Sequence, residues 1–190
     1  MRPLAVFTML AALIPALPCY AVALLGNTYG GDGNALIYTI DSGSGLASQP
    51  RPTGLSHLAG VTMGPSGFLY GLTTAASIDH PASLFSIDPT TGHSQLIGPT
   101  GLTSISEGDI AFDWTTGQLY GAYQVNATQR QLFTIDAATG ATVATIGGLP
   151  GDPSALAFDG QGQLYVLDTS LERILQVDKA TGSVIANVAL

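Results

Sequence analysis

Cysteine is almost missing from this chain of 190 residues, with Cys19 the only one. A single thiol makes no disulfide within the chain and no cysteine-ligated metal site. Charge is scarce as well. Lys and Arg together number 5, and charged residues of both signs make up 9% of the sequence. Phosphate backbones and anionic membrane surfaces are held by clustered Lys and Arg. Here the cations after Arg2 are Arg51, Arg130, Arg173 and Lys179, far apart in sequence, so neither is an expected partner. Motifs of common chemistry are also missing. There is no G-x-S-x-G elbow, phosphate-binding Gly-rich loop or H-E-x-x-H helix.

What is present is apolar and rich in glycine. Hydrophobic residues make up 46% of the chain, glycines number 24, and the formal net charge is −8. Many glycines among Val, Ile, Leu, Tyr and Thr predict short strands and tight turns rather than helices.

Residues 1–23 read as an export leader. Arg2 supplies the positive start, Leu4 to Leu17 the apolar run, and Ala21-Val22-Ala23 the small residues of a cleavage site after Ala23. A membrane anchor is the competing reading, but a spanning helix needs about 20 apolar residues, and this run is shorter and interrupted by Pro15. A lipid-modified Cys19 is the other, but Pro18 stands where a small residue is expected. The expected address is secreted or periplasmic, with no stable membrane insertion after cleavage. A mature chain from Leu24 has no cysteine, so packing and backbone pairing must stabilise it.

The strongest signal is self-similarity. Leu36-Ile37-Tyr38-Thr39-Ile40-Asp41, Ser83-Leu84-Phe85-Ser86-Ile87-Asp88, Gln131-Leu132-Phe133-Thr134-Ile135-Asp136 and Arg173-Ile174-Leu175-Gln176-Val177-Asp178 match one another. Four residues after each Asp stands a glycine: Gly45, Gly92, Gly140 and Gly182. Ser or Thr precedes each. Asp opens a turn by accepting backbone N–H bonds, and glycine supplies the positive φ that closes it. The residues before each Asp alternate with period two, which is strand. The four Asp–Gly pairs are therefore expected to be structural turns.

A second unit interleaves with the first. It reads Val61-Thr62-Met63 to Leu69-Tyr70-Gly71, Ile110-Ala111-Phe112-Asp113 to Leu119-Tyr120-Gly121, and Leu156-Ala157-Phe158-Asp159 to Leu164-Tyr165-Val166. Each is strand, glycine turn, strand. The two units together give four strands every ~45 residues, the period of a β-propeller blade.

The expected fold is all-β, a propeller of about four four-stranded blades over residues 24–190. Blades are expected at about 24–50, 58–98, 108–147 and 155–190. The first lacks an innermost strand, so the expected total is fifteen strands. Three closures compete: a fragment of a larger propeller, a small closed ring, or an open arc that self-associates through unpaired edges.

The alternation of L-[Y/F]-x-I-D-x-x-[S/T]-G with I-A-F-D-x-x-G-x-L-Y-G resembles secreted bacterial β-propellers of the YVTN, NHL and quinoprotein-like kind, a WD40-like repeat architecture. The likeness covers nearly all of 24–190. One departure stands out. Quinone-cofactor propellers close each blade with a tryptophan, but Val143, Ala144 and Thr145 follow Asp136-Ala137-Ala138-Thr139-Gly140. No quinone is therefore expected, and no cofactor is predicted apart from calcium.

The residues leading into the innermost strands should face the central channel, the usual ligand end of a propeller. Alignment of the blades puts His57, Glu107 and Asp152 there. His with two carboxylates suits a metal such as calcium or acid–base work. The resemblance to calcium-dependent lactonase and lyase propellers implies the same place. Against this stands the plainer reading of polar residues in solvated loops.

Because every strong motif is structural, the first functional expectation is a non-catalytic exported propeller. It would act as a binding or scaffold module for an unidentified protein or small molecule. The alternative is a calcium-dependent, lactonase- or lyase-like hydrolase with its site in the channel. A further alternative is a fragment inactive alone.

Overall fold

The computed structural model describes residues 24–31, 34–106, 108–126, 129–170 and 172–189. The expected export leader and Glu107 lie outside them. The described residues form fifteen strands in four separate antiparallel sheets, each a blade. Blade 1 holds β1 (Leu24–Asn27), β2 (Leu36–Ile40) and β3 (Ala47–Pro52). Blade 2 holds β4 (Leu58–Met63), β5 (Leu69–Thr73), β6 (Ser83–Ile87) and β7 (Ser94–Pro99). Blade 3 holds β8 (Gly108–Asp113), β9 (Gln118–Asn126), β10 (Gln129–Ile135) and β11 (Thr142–Gly148). Blade 4 holds β12 (Pro153–Phe158), β13 (Leu164–Asp168), β14 (Arg173–Val177) and β15 (Val184–Ala189). The fold is the expected all-β propeller arrangement, and blade 1 has three strands.

Every Asp-to-Gly hairpin is built alike. The glycine N–H donates to the aspartate carbonyl at 2.8 Å in all four: Gly45 to Asp41, Gly92 to Asp88, Gly140 to Asp136 and Gly182 to Asp178. The carboxylates accept backbone N–H bonds from within the turn, as Asp88 does from Thr90 at 2.7 Å and Asp178 from Ala180 at 2.8 Å. These bonds favour the charged form. The Ser44 hydroxyl holds Asp41 below the usual carboxylate range, and the Thr90 and Ala138 amides do the same for Asp88 and Asp136.

The turn glycines do a second job that one blade's sequence does not reveal. Each of the last three approaches the outer strand of the preceding blade. A Cβ added at Gly92 would lie 2.7 Å from the Pro52 carbonyl oxygen, and one at Gly140 would lie 2.4 Å from that of Gly98. At Gly182 the nearest atom is the Gly147 carbonyl carbon at 3.3 Å. At Gly45 of blade 1 nothing lies within 4 Å.

Alternation along each strand sends one set of side chains to the preceding blade and the other to the next. In blade 2, Leu69, Phe85 and Ile87 meet Ile37 of blade 1. Leu72 and Leu84 meet Ile110, Phe133 and Ile135 of blade 3. Leu132, Tyr120 and Ala122 of blade 3 meet Leu164, Leu175 and Val177 of blade 4. Among the described residues three apolar clusters thus join the four blades, one at each internal seam. A side chain of this size contributes about 1.5–3 kcal/mol when fully buried, so the seams hold most of the driving force for folding.

Candidate functional site: the channel mouth

The innermost strands β4, β8 and β12 stand side by side around the axis. Their backbones are stitched by the side chains of neighbouring blades. Phe112 N–H donates to Thr62 Oγ1 at 3.2 Å, and Leu156 N–H donates to Asp109 Oδ2 at 2.8 Å. Near the starts of these strands, Ala59, Gly108 and Ser154 with Tyr29 line a cavity of about 260 Å³. The first three occupy one repeat position on three blades. Their small side chains are what leaves the space.

One residue further along, the three strands carry Gly60, Asp109 and Ala155. Asp109 is the carboxylate in an otherwise small-residue layer. Its Oδ1 accepts its neighbour Ile110's N–H at 2.8 Å, and a Cβ at Gly60 would fall 1.9 Å from that oxygen. Gly60 is therefore required for the carboxylate to fit. Burial pushes the Asp109 carboxyl up to about 7, although the Leu156 and Ile110 amides pull it down. An acid poised near neutrality in a channel wall can both donate and accept a proton at physiological pH.

His57 sits at the same end. It adopts φ 54°, a left-handed backbone that is uncommon outside glycine and costs about 1–3 kcal/mol. Its N–H donates to the Gly30 carbonyl at 3.1 Å, and its carbonyl accepts from Thr74 N–H at 2.9 Å. Its ring packs edge-on to Tyr29 with centroids 4.9 Å apart. Tyr29 in turn shares a hydroxyl hydrogen bond with Thr74 at 3.3 Å. His57 Nδ1 is buried with no hydrogen-bond partner among the described residues. A buried polar nitrogen without a partner usually serves a ligand or water.

Asp152 is engaged elsewhere. Its carboxylate accepts a charged hydrogen bond from Arg130 of β10 at 3.2 Å, and its N–H donates to the Asp168 carboxylate at 2.9 Å. Asp168 is fully buried. Burial alone would raise its pKa; the bonds from Asp152, Ser170 and Arg173 overturn this and hold it below the usual range. The Asp168 carboxylate thereby fixes the loop that leads into β12. Among the described residues, no three His, Cys, Asp or Glu side chains gather as a metal site would require.

Asp109 escapes sequence reasoning because its neighbours lie about fifty residues away in each direction. The available signal is its break from Gly60 and Ala155 at the equivalent positions. Another buried carboxylate, Asp113, ends β8. Burial would raise it, but bonds from Lys179 of blade 4, Thr115 and Thr116 hold it well below the usual carboxylate range. Lys179 also donates to the Gly162 carbonyl at 3.0 Å, so this pair locks blades 3 and 4.

No family profile and no curated protein matches the sequence. Solved structures do share its shape. A protein described as a candidate gluconolactonase matches with a TM-score of 0.58 at 13% identity, over 88% of this chain and 60% of that one. A chain of the nidogen/laminin complex matches with a TM-score of 0.52 at 13% identity, over 88% and 81%. The PQQ-bound aldose sugar dehydrogenase of Streptomyces coelicolor matches with a TM-score of 0.50 at 21% identity, over 68% and 46%. The chain thus spans about half to three fifths of the two enzymes' lengths. What it has in common with all three is the β-propeller fold.

Proposed function

We propose that this chain is a lactonase-like hydrolase acting on a small, cyclic, sugar-derived ester at the channel mouth. The single observation that carries the reading is Asp109, a carboxyl poised near pH 7 one residue below a cavity of about 260 Å³. In this reading ionised Asp109 takes a proton from water as the water oxygen bonds to the ring carbonyl carbon. The ring C–O bond then breaks, and the proton passes to the departing alkoxide, giving the open hydroxy acid. His57 Nδ1 and the Ser154 hydroxyl orient the substrate through hydrogen bonds. The named activity of the candidate gluconolactonase supports the substrate class. Export to the periplasm or medium is proposed with it, on the residues of the leader.

Calcium does not fit the described residues. The ion takes six to eight oxygens, whereas Asp152 is paired with Arg130 and both Asp109 oxygens accept amides. No step is assigned to a metal. The competing reading is a binding or scaffold module without chemistry.

Proton release from a panel of five- and six-membered sugar lactones, followed by pH-stat, separates the two. Turnover that rises with a midpoint near pH 7 and vanishes in Asp109→Asn is expected. Lactone binding by calorimetry without turnover at any pH would replace the hydrolase with the binding module.

A further inference from the structure

We propose that two copies of the chain join head to tail, blade 4 of each packing on blade 1 of the other, into one ring of eight blades. The proposal does not depend on the hydrolase reading. Its basis is the seam that the chain repeats internally. At each internal seam the blade that follows presents three large apolar side chains, and all are 3% exposed or less: Leu69, Phe85 and Ile87 in blade 2, with their equivalents in blades 3 and 4. In blade 1 the matching residues are Leu24, Tyr38 and Ile40. Leu24 is 47% exposed, and the other two are partly exposed.

The opposite half shows the same pattern. Leu84 and Leu132, which face the next blade, are fully buried, whereas the equivalent Ile174 of blade 4 is 38% exposed beside half-buried Tyr165 and Leu167. The turn glycine agrees. Gly92, Gly140 and Gly182 each have backbone of the preceding blade against them, and Gly45 has open space.

Blade 1 therefore presents one half of a seam and blade 4 the complementary half. Neither half carries a charged side chain among these positions, so no like-charge contact opposes their union. The two halves lie on different surfaces of one chain, so the contact is heterologous and either closes into a ring or runs on as a fibre. Two arcs of four give eight blades, within the range of about four to eight that propellers adopt, and three arcs would exceed it. A second copy is the occupant because its opposite face already has the shape and polarity that the chain uses to cover this one.

The test is the mass of the 190-residue chain, by light scattering on a sizing column at physiological salt. A dimer is expected. Tyr38→Glu spoils one half-seam and Ile174→Glu the other, and each should give a monomer that still melts cooperatively. An equal mixture of the two variants keeps one sound junction and should return a species of dimer mass. If either variant fails to melt cooperatively, Leu24→Ser and Leu167→Ser take their places. A wild-type monomer at every concentration, a ladder of larger species, dimers unaffected by either variant, or a mixture that stays monomeric would each overturn the proposal.

Discussion

Replacing Asp109 with Asn should change how stability depends on pH more than it changes stability itself. An ordinary Asp titrates near 3.9, whereas burial between Gly60 and Leu156 moves Asp109 up to about 7. The folded state therefore holds this proton over a window in which the unfolded chain has lost it. In that window stability falls as pH rises. Stability from this group is fully present below about pH 4 and lost by about pH 7. About three pK units correspond to a ceiling of about 4 kcal/mol. Asn removes the charge at every pH, so the variant should lack this slope. It also puts an amide N–H₂ against one of the two backbone N–H donors, at a cost of about 1–3 kcal/mol. That cost does not vary with pH, so the difference between the two curves isolates the titration. Urea unfolding at intervals from pH 4.5 to 8 measures it. The variant should gain on the wild type steadily across that range and overtake it near neutrality. Parallel curves would refute the burial argument and, with it, the acid–base role.

Two glycines at the same repeat position should respond differently to alanine. Gly140→Ala meets the Gly98 carbonyl at 2.4 Å and also forces φ 80° on an alanine, so a loss of about 2–5 kcal/mol is expected in thermal unfolding. Gly45→Ala meets nothing within 4 Å and bears the backbone cost alone, about 1–2 kcal/mol, when measured at a dilution where the chain is monomeric. Equal losses would contradict the seam. Lys179→Met leaves the Asp113 carboxylate buried without its cation, and should cost about 2–4 kcal/mol at neutral pH. Because Asp113 is held low in the folded state, the bonds that hold it stabilise above about pH 4 and are lost as pH falls below it. The gap between Lys179→Met and wild type should shrink accordingly toward pH 2 in denaturant titrations.

Much of the architecture was legible because a blade is a local object. The Phe85–Ile87 alternation, the Asp88 turn and Gly92 lie within ten residues, and their hydrogen bonds close within that span. The missing innermost strand of blade 1 was legible by comparison with β4, β8 and β12. The seams were not, since they join residues one period apart. Nothing near Gly140 announces Gly98, and nothing near Asp113 announces Lys179. The site was half-legible for the same reason. His57 and Asp152 were placed at the starts of inner strands by repeat alignment, but their partners Tyr29 and Arg130 come from neighbouring blades. Asp109 looked like one more position in an alternating strand. Only the stacking of three strands around it makes it an unusual acid.

The seam contacts of the backbone amides test the stacked-blade account most directly, read as nuclear Overhauser effects in the labelled chain. The account predicts cross-peaks from the Leu156 amide to the Asp109 methylene, from the Phe112 amide to Thr62, and from the Thr142 amide to the Thr100 α-proton. If those amides instead showed cross-strand peaks to another blade's hairpin, the four hairpins would belong to one continuous sheet, and the propeller, its channel and its site would fall together.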